Sequence, residues 1–235
     1  MKTSHEPYKQ LSIWKGAFVL LSGVVVASFG CGGGGHHAQL RAMDATPQES
    51  AIAVSLDGNS FASNVAYGTA SDYGSVGAGS RHLQIYPTGV ATPYIDETIS
   101  LSSGDKYTVV SANVLSNANT ILLVDESSAP ASNAAELRIV NASPALGTAD
   151  VYIVSPGTNL ASVSPTISGL AFEAVSTYQK LTASTAYEVY ITLPNQKTAQ
   201  IDSGPVTYSG KVARTMLALN GEAGGYTLAT LKDLN

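Results

Sequence analysis

The chain has 235 residues, 44% of them hydrophobic and only 12% charged, so it carries the apolar material for one or two packed cores and too little charge to stay unfolded. Three of its 12 basic residues and one of its 17 acidic residues lie in the first thirty positions, which leaves nine basic against sixteen acidic groups, a net of −7. That balance, with no basic face interleaved with aromatics, excludes nucleic acid as an expected partner.

In chain order, Lys9 and Lys15 precede an apolar run from Gly16 to Phe29, the charged and apolar regions of an export signal. The run is too short to read as a membrane span. It ends at Gly30-Cys31, and Cys31, the only cysteine, is followed at once by Gly32 to Gly35, His36 and His37. This arrangement resembles a bacterial lipoprotein signal. The resemblance implies that residues 1–30 are removed and that Cys31 becomes the acylated first residue. It also implies that 31–38 form a flexible tether and that Gly32, in place of Asp, directs the chain to the outer membrane. Each buried methylene of an acyl chain contributes about 0.8 kcal/mol, so several chains on one sulfur hold a protein on a bilayer essentially permanently. The alternative is an incidental thiol near a cleaved signal or near an uncleaved N-terminal anchor. Without a second cysteine no internal disulfide forms, and stability must come from the core.

Beyond the tether, Ser, Thr, Val, Ala and Gly dominate, a composition that favours strands joined by small-residue turns. Ala51 to Leu56 precedes Asp57-Gly58-Asn59, His82 to Tyr86 precedes Pro87-Thr88-Gly89, and Thr98 to Leu101 is separated from Tyr107 to Val110 by Ser102-Ser103-Gly104-Asp105. These read as hairpins. Glu126 to Ala135, rich in small residues and containing Pro130, reads as a linker. After it, Ala149 to Val154 precedes Ser155-Pro156-Gly157, Tyr187 to Leu193 precedes Pro194-Asn195, and Lys211 to Leu219 precedes Asn220-Gly221. Tyr187, Val189 and Ile191 alternate with Glu188, Tyr190 and Thr192, which puts one set on a core face.

The chain also matches itself. Gln39 to Pro47 corresponds in polarity to Glu136 to Pro144, Ala53 to Leu56 to Asp150 to Ile153, and Tyr67 and Tyr73 to Phe172 and Tyr178. A period near a hundred residues is long enough for each copy to be a complete domain. The expected architecture is therefore all-β, with two tandem antiparallel, immunoglobulin-like β-sandwiches of about seven strands each, at 39–125 and 136–235, joined by 126–135. Leu137 to Pro144 followed by Ala149 to Tyr152, together with Val65 to Tyr73 and Ala78-Gly79, resembles the bacterial domain of unknown function family 4397. The resemblance implies a secreted or surface β-sandwich and supplies no reaction. Asn141 to Pro144 has a physical role without it, because Asn can bond nearby backbone while Pro stops further pairing, making a structural corner.

Reactive constellations are sparse. After the tether His82 is the sole histidine, it lies in an alternating strand, and no Gly-x-Ser-x-Gly elbow accompanies it, so a serine hydrolase is not expected. Neither a metal site nor a cofactor is expected. His36 and His37 sit beside an acylated Cys, and Asp57, Asp96, Glu97, Asp125 and Glu126 follow no pattern of alternating oxygen ligands. Tyr86, Tyr94, Tyr190 and Tyr208 are the candidate ligand contacts, since exposed tyrosines stack on sugars, although tyrosines in alternating strands also serve to cover sheets. The expected function is a noncatalytic cell-envelope or surface lipoprotein with a structural, adhesive or protein-binding role. The alternative is a carbohydrate- or peptide-binding module serving a separate enzyme or transporter. The expected partners are the membrane, through Cys31, and an envelope protein or glycan.

Overall fold

A computed structural model describes residues 36–126 and 128–234. The expected export signal and Cys31 lie outside the described residues. The first half contains β1 (His37–Asp44), β2 (Ala51–Leu56), β3 (Asn59–Ala66), β4 (Gly74–Gly77), β5 (Gly79–Pro87), β6 (Ile95–Leu101), β7 (Lys106–Ala112) and β8 (Asn119–Asp125). The second contains β9 (Ala134–Asn141), β10 (Ala149–Val154), β11 (Ile167–Leu170), β12 (Gln179–Thr182), β13 (Ala186–Thr192), β14 (Ala199–Thr207), β15 (Ala213–Asn220) and β16 (Tyr226–Leu234). The protein is all-β, as its composition implies, and folds as two sandwich-like halves.

Each half is a pair of four-stranded sheets with the same strand order. β4-β1-β7-β8 faces β3-β2-β5-β6 in the first half, and β12-β9-β15-β16 faces β11-β10-β13-β14 in the second. Eight strands per half replace the seven expected. The sheets are not purely antiparallel either, because β1 runs parallel to β7 and β9 parallel to β15. Hairpins cannot make that pairing, so the intervening chain crosses to the facing sheet and returns.

Two cores fill the sandwiches. Leu40, Ile52, Leu83, Ile85 and Val109 centre the first, and Leu137, Ile139, Val151, Ile191 and Met216 the second. A third apolar layer comprises Met43, Val110, Ile121 and Leu123 with Val140, Leu217, Leu219 and Leu231. It arises because β1, β7, β9 and β15 are apolar on both faces: Leu40 and Ala42 point into the first core while Met43 points into the third. The β1 and β9 sheets therefore pack back to back, and the body is a stack of four sheets.

Two boundaries differ from the sequence expectation. His37 and Ala38, placed in the tether, belong to β1, and Ala38 is buried because its neighbours on that face are core residues. Ala134 and Ala135, placed in the linker, begin β9 and are also buried. The remaining linker is seated on the second half. Ala183 N donates to Asn133 O (3.0 Å), and a Cβ at Gly210 would lie 1.8 Å from Ser132 O, an approach that only glycine permits.

Candidate functional site

Charged residues occur inside the back-to-back layer, and they do so twice. Arg41 projects from the third-core face of β1, and its Nε donates to Thr108 Oγ1 (2.7 Å) on the neighbouring β7. Its Nη2 crosses to the other half and donates to Asp233 Oδ1 (2.5 Å), while Nη1 donates to Lys232 O (2.8 Å). Arg138 on β9 does the same in reverse: Nε to Thr215 Oγ1 (3.0 Å), Nη2 to Asp125 Oδ1 (2.6 Å), Nη1 to Val124 O (2.7 Å). Each carboxylate also accepts two hydroxyls. Thr108 and Tyr73 donate to Asp125 Oδ2, and Thr215 and Tyr178 donate to Asp233 Oδ2. Tyr73 and Tyr178 stack over the guanidinium groups of Arg41 and Arg138 at 4.5 and 4.6 Å. Both carboxylate side chains are fully shielded from solvent. Burial pushes the Asp233 carboxyl above its ordinary range against the pull of Thr215 and the arginines, and burial raises the Tyr73 and Tyr178 hydroxyls above theirs.

Over this network, at the end where β1 begins, a groove of about 690 Å³ runs between the 68–73 loop and β16, lined by Arg41, Asp72, Tyr73, Lys106 and Lys232. The Lys106 ammonium stands 5.4 Å from the Tyr73 ring. Sequence reasoning did not single out these residues. The available signal was an Arg inside each of two otherwise apolar strands, at matching places in Gln39 to Pro47 and Glu136 to Pro144.

The tyrosines singled out from sequence are not brought together. Tyr86 is half-buried on β5, where its hydroxyl donates to Gln84 Oε1. Tyr94 is not an exposed platform: it packs on the first core, its hydroxyl bonds Ser111 Oγ (2.8 Å), and burial pushes its pKa up to about 12. Tyr190 lies on β13 two residues from Glu188, whose nearby carboxylate raises the Tyr190 pKa to about 12. Tyr208 is only 8% exposed and belongs to the second core, because the chain turns inward after β14. Its hydroxyl is buried without a partner. Tyr208 and Tyr226 do line a cavity of about 460 Å³ between β14 and β16. The matching seam of the first half is bridged, by Thr120 donating to Glu97 and by Tyr94 packing inward.

At the far end of β1 and β9 the two corners differ by one atom type. Asn141 Oδ1 accepts from Ser143 N (3.2 Å), and its Nδ2 donates to Gly147 O (2.7 Å) and Leu170 O (3.1 Å), the corner role expected for it. Asp44 Oδ1 likewise accepts from Thr46 N (2.9 Å), but its Oδ2 is buried with no partner. Burial, helped by Glu49 and opposed by the Thr46 bond, raises the Asp44 pKa to about 7. Among the described residues no group of three or more His, Cys, Asp or Glu side chains is arranged to hold a metal.

Residues 38–152 match the family model described as Domain of unknown function (DUF4397), a stretch running from β1 into β10. The match supports the resemblance carried by the two strand openings. None of the curated proteins matches the chain. Among the solved structures that overlap with it loosely are the following three. CBMbc (family CBM26) from Eubacterium rectale Amy13K, in complex with maltoheptaose, is 9% identical over 85% of this chain and 98% of that one, with a TM-score of 0.28. A structure titled for alpha-glucan binding by a streptococcal virulence factor is 10% identical over 80% and 95%, TM-score 0.28. The Bacillus anthracis TIE protein is 14% identical over 78% and 34%, TM-score 0.26. Overlaps this loose carry no argument about ligand.

Two outcomes are expected from this geometry. Arg41→Met leaves Asp233 buried without its cation and should cost about 3–5 kcal/mol in urea unfolding, whereas Arg41→Met combined with Asp233→Leu should recover much of that loss. For Asp44, the folded-state pKa lies above the unfolded value, so its stabilising neutral form is fully present below about pH 4 and the contribution is lost as pH rises toward about 7. Asp44→Asn should flatten that fall and raise stability at pH 8 by about 2–4 kcal/mol, with little effect at pH 4. Equal pH profiles for the two proteins would contradict the assignment.

Proposed function

We propose that this chain is an exported, noncatalytic surface module, held at the cell envelope through acylated Cys31 and presenting two interlocked β-sandwiches to an envelope protein or matrix. The observation that supports this reading is the pairing of the halves through reciprocal buried arginines, combined with an N-terminal apolar run that ends just before a single cysteine. Cys31 stands six positions before His37, where β1 starts. Even fully extended that stretch reaches only about 20 Å, so an acylated Cys31 holds the folded body against the bilayer. Metabolic labelling with an acyl-chain probe should mark the wild-type chain and not Cys31→Ser, and the variant should leave the membrane fraction. Equal labelling of both would rule out the anchor.

A second reading, a carbohydrate- or peptide-binding module, is favoured by the open β14–β16 seam with Tyr208 and Tyr226 on its walls. Its volume falls within the range of small-ligand sites. Tyr208→Phe removes a buried hydroxyl that has no partner, so folding should be unchanged or stabilised by up to about 2 kcal/mol. Because that hydroxyl is enclosed, a ligand in the seam would meet the Tyr226 wall instead, and Tyr226→Ala should weaken a hit from a glycan or peptide array. A folded Tyr226→Ala chain with undiminished binding would remove this tyrosine wall from the site.

A further inference from the structure

The groove over Tyr73 has an internal control. By strand register, Lys106 sits opposite Gln39 as Ala213 sits opposite Glu136, and Lys232 sits opposite Arg214 as Val124 sits opposite Tyr107. Two halves with the same strand order therefore carry the same buried arginine network, yet one rim bears two lysines where the other bears alanine and valine. The rims also differ in how the chain leaves them. On the Ala213/Val124 side it continues from Asp125 into Glu126, whose N–H donates to the Tyr178 hydroxyl. On the Lys106/Lys232 side the 68–73 loop and β16 border the groove.

Charge is segregated along the same axis. Of the nine basic residues after position 30, Arg41 and Arg138 are in the buried network. Five more lie at the end where β1 starts: Lys106 opposite Gln39, Lys232 opposite Arg214, Lys180 opposite Glu136, and Lys211, bonded to Ala134 O. Only Arg81 and Lys197 lie elsewhere. The acids at this end are Asp72, Asp105, Glu126 and Glu136, besides Asp125 and Asp233, which the arginines neutralise. The other carboxylates of this acidic chain belong to the two facing sheets and their turns, or to the corners at the opposite end. The tether enters here too, since Gln39 N bonds Asp105 O beside Lys106 and Gly104 N bonds His37 O.

We infer that the groove between the 68–73 loop and β16 is a seat for the anionic phosphate headgroup of a bilayer lipid, with Lys106 and Lys232 as its cations and Tyr73 as its wall. This rests on the Cys31 anchor only for how the groove meets the membrane; the groove's chemistry is independent of it. Contact of two lysines with headgroups gives the anchored body a fixed end toward the membrane, leaving the acidic far end outward.

The test uses the mature chain carrying Cys31→Ser, so that no acyl chain contributes, in flotation with phosphatidylcholine vesicles and with equal phosphatidylcholine and phosphatidylglycerol. Binding should appear only on the anionic vesicles, fall with added salt, and weaken about tenfold in Lys106→Gln/Lys232→Gln, while Lys197→Gln binds as the parent does. Equal binding to both vesicle types, or a double variant that binds like the parent, would overturn the inference. So would Tyr73 ring shifts with inorganic phosphate and no vesicle binding, which would mark a soluble-phosphate site. Acyl labelling of Cys31 is read separately, so failure of the anchor and failure of the groove are told apart.

Discussion

Two buried guanidinium groups, each reaching across to a carboxylate of the other half, set the relation on which the body depends. A buried ion pair adds little net stability over well-packed apolar residues, but removing one partner is costly, since the remaining charge is left in a low-dielectric layer. In this protein each arginine finds a threonine, a carboxylate and a carbonyl, and each aspartate finds an arginine and two hydroxyls. Both networks are satisfied only when the halves sit in one register, because sliding β16 by two residues would bring Leu231 to Arg41 in place of Asp233. The apolar third core supplies the area and the arginines supply the alignment.

That alignment brings functional features to one end of the stack. Arg41 holds Lys232 O, which fixes β16 against the 68–73 loop and shapes the groove between them. The entry of β1 and the lysine-bearing rim lie at this same end. At the other end the corners formed by Asp44 and Asn141 close the sheets. There one half uses an amide that satisfies two carbonyls, and the other keeps a carboxyl with an unpaired oxygen. Near-identical frames thus differ at a few positions, and the differences fall at the rim, the β14–β16 seam and the corner.

Much of the architecture could be read from residues. Strand class followed from composition and turn residues, and the alternation of Tyr187, Val189 and Ile191 with Glu188 and Tyr190 placed the core face of β13. The correspondence of Tyr73 with Tyr178 was visible as well, and those residues occupy matching places in the two networks. The parallel β1/β7 and β9/β15 pairs were not legible, because strand identity carries no record of partner direction when both faces are apolar. Individual tyrosines were misjudged for a related reason. The sequence offers Tyr94 and Tyr208 as exposed contacts, yet the chain packs Tyr94 against the first core and buries Tyr208 in the second, because exposure belongs to the tertiary surroundings of a side chain.

By itself the sequence determined that the chain forms short strands with turns at Gly, Pro, Asn and Asp, that one cysteine leaves no internal disulfide to staple it, and that its acidic body follows an apolar run and that single cysteine. Local propensity and composition are sufficient for each of those. Only the tertiary structure decided that the sheets of the two halves meet back to back, that Arg41 and Arg138 are partners of Asp233 and Asp125, and that Lys106 and Lys232 share a groove. Those residues are separated by up to 192 positions in the chain. Pairing across such distances is selected by the simultaneous fit of many strands, which no local stretch of sequence encodes.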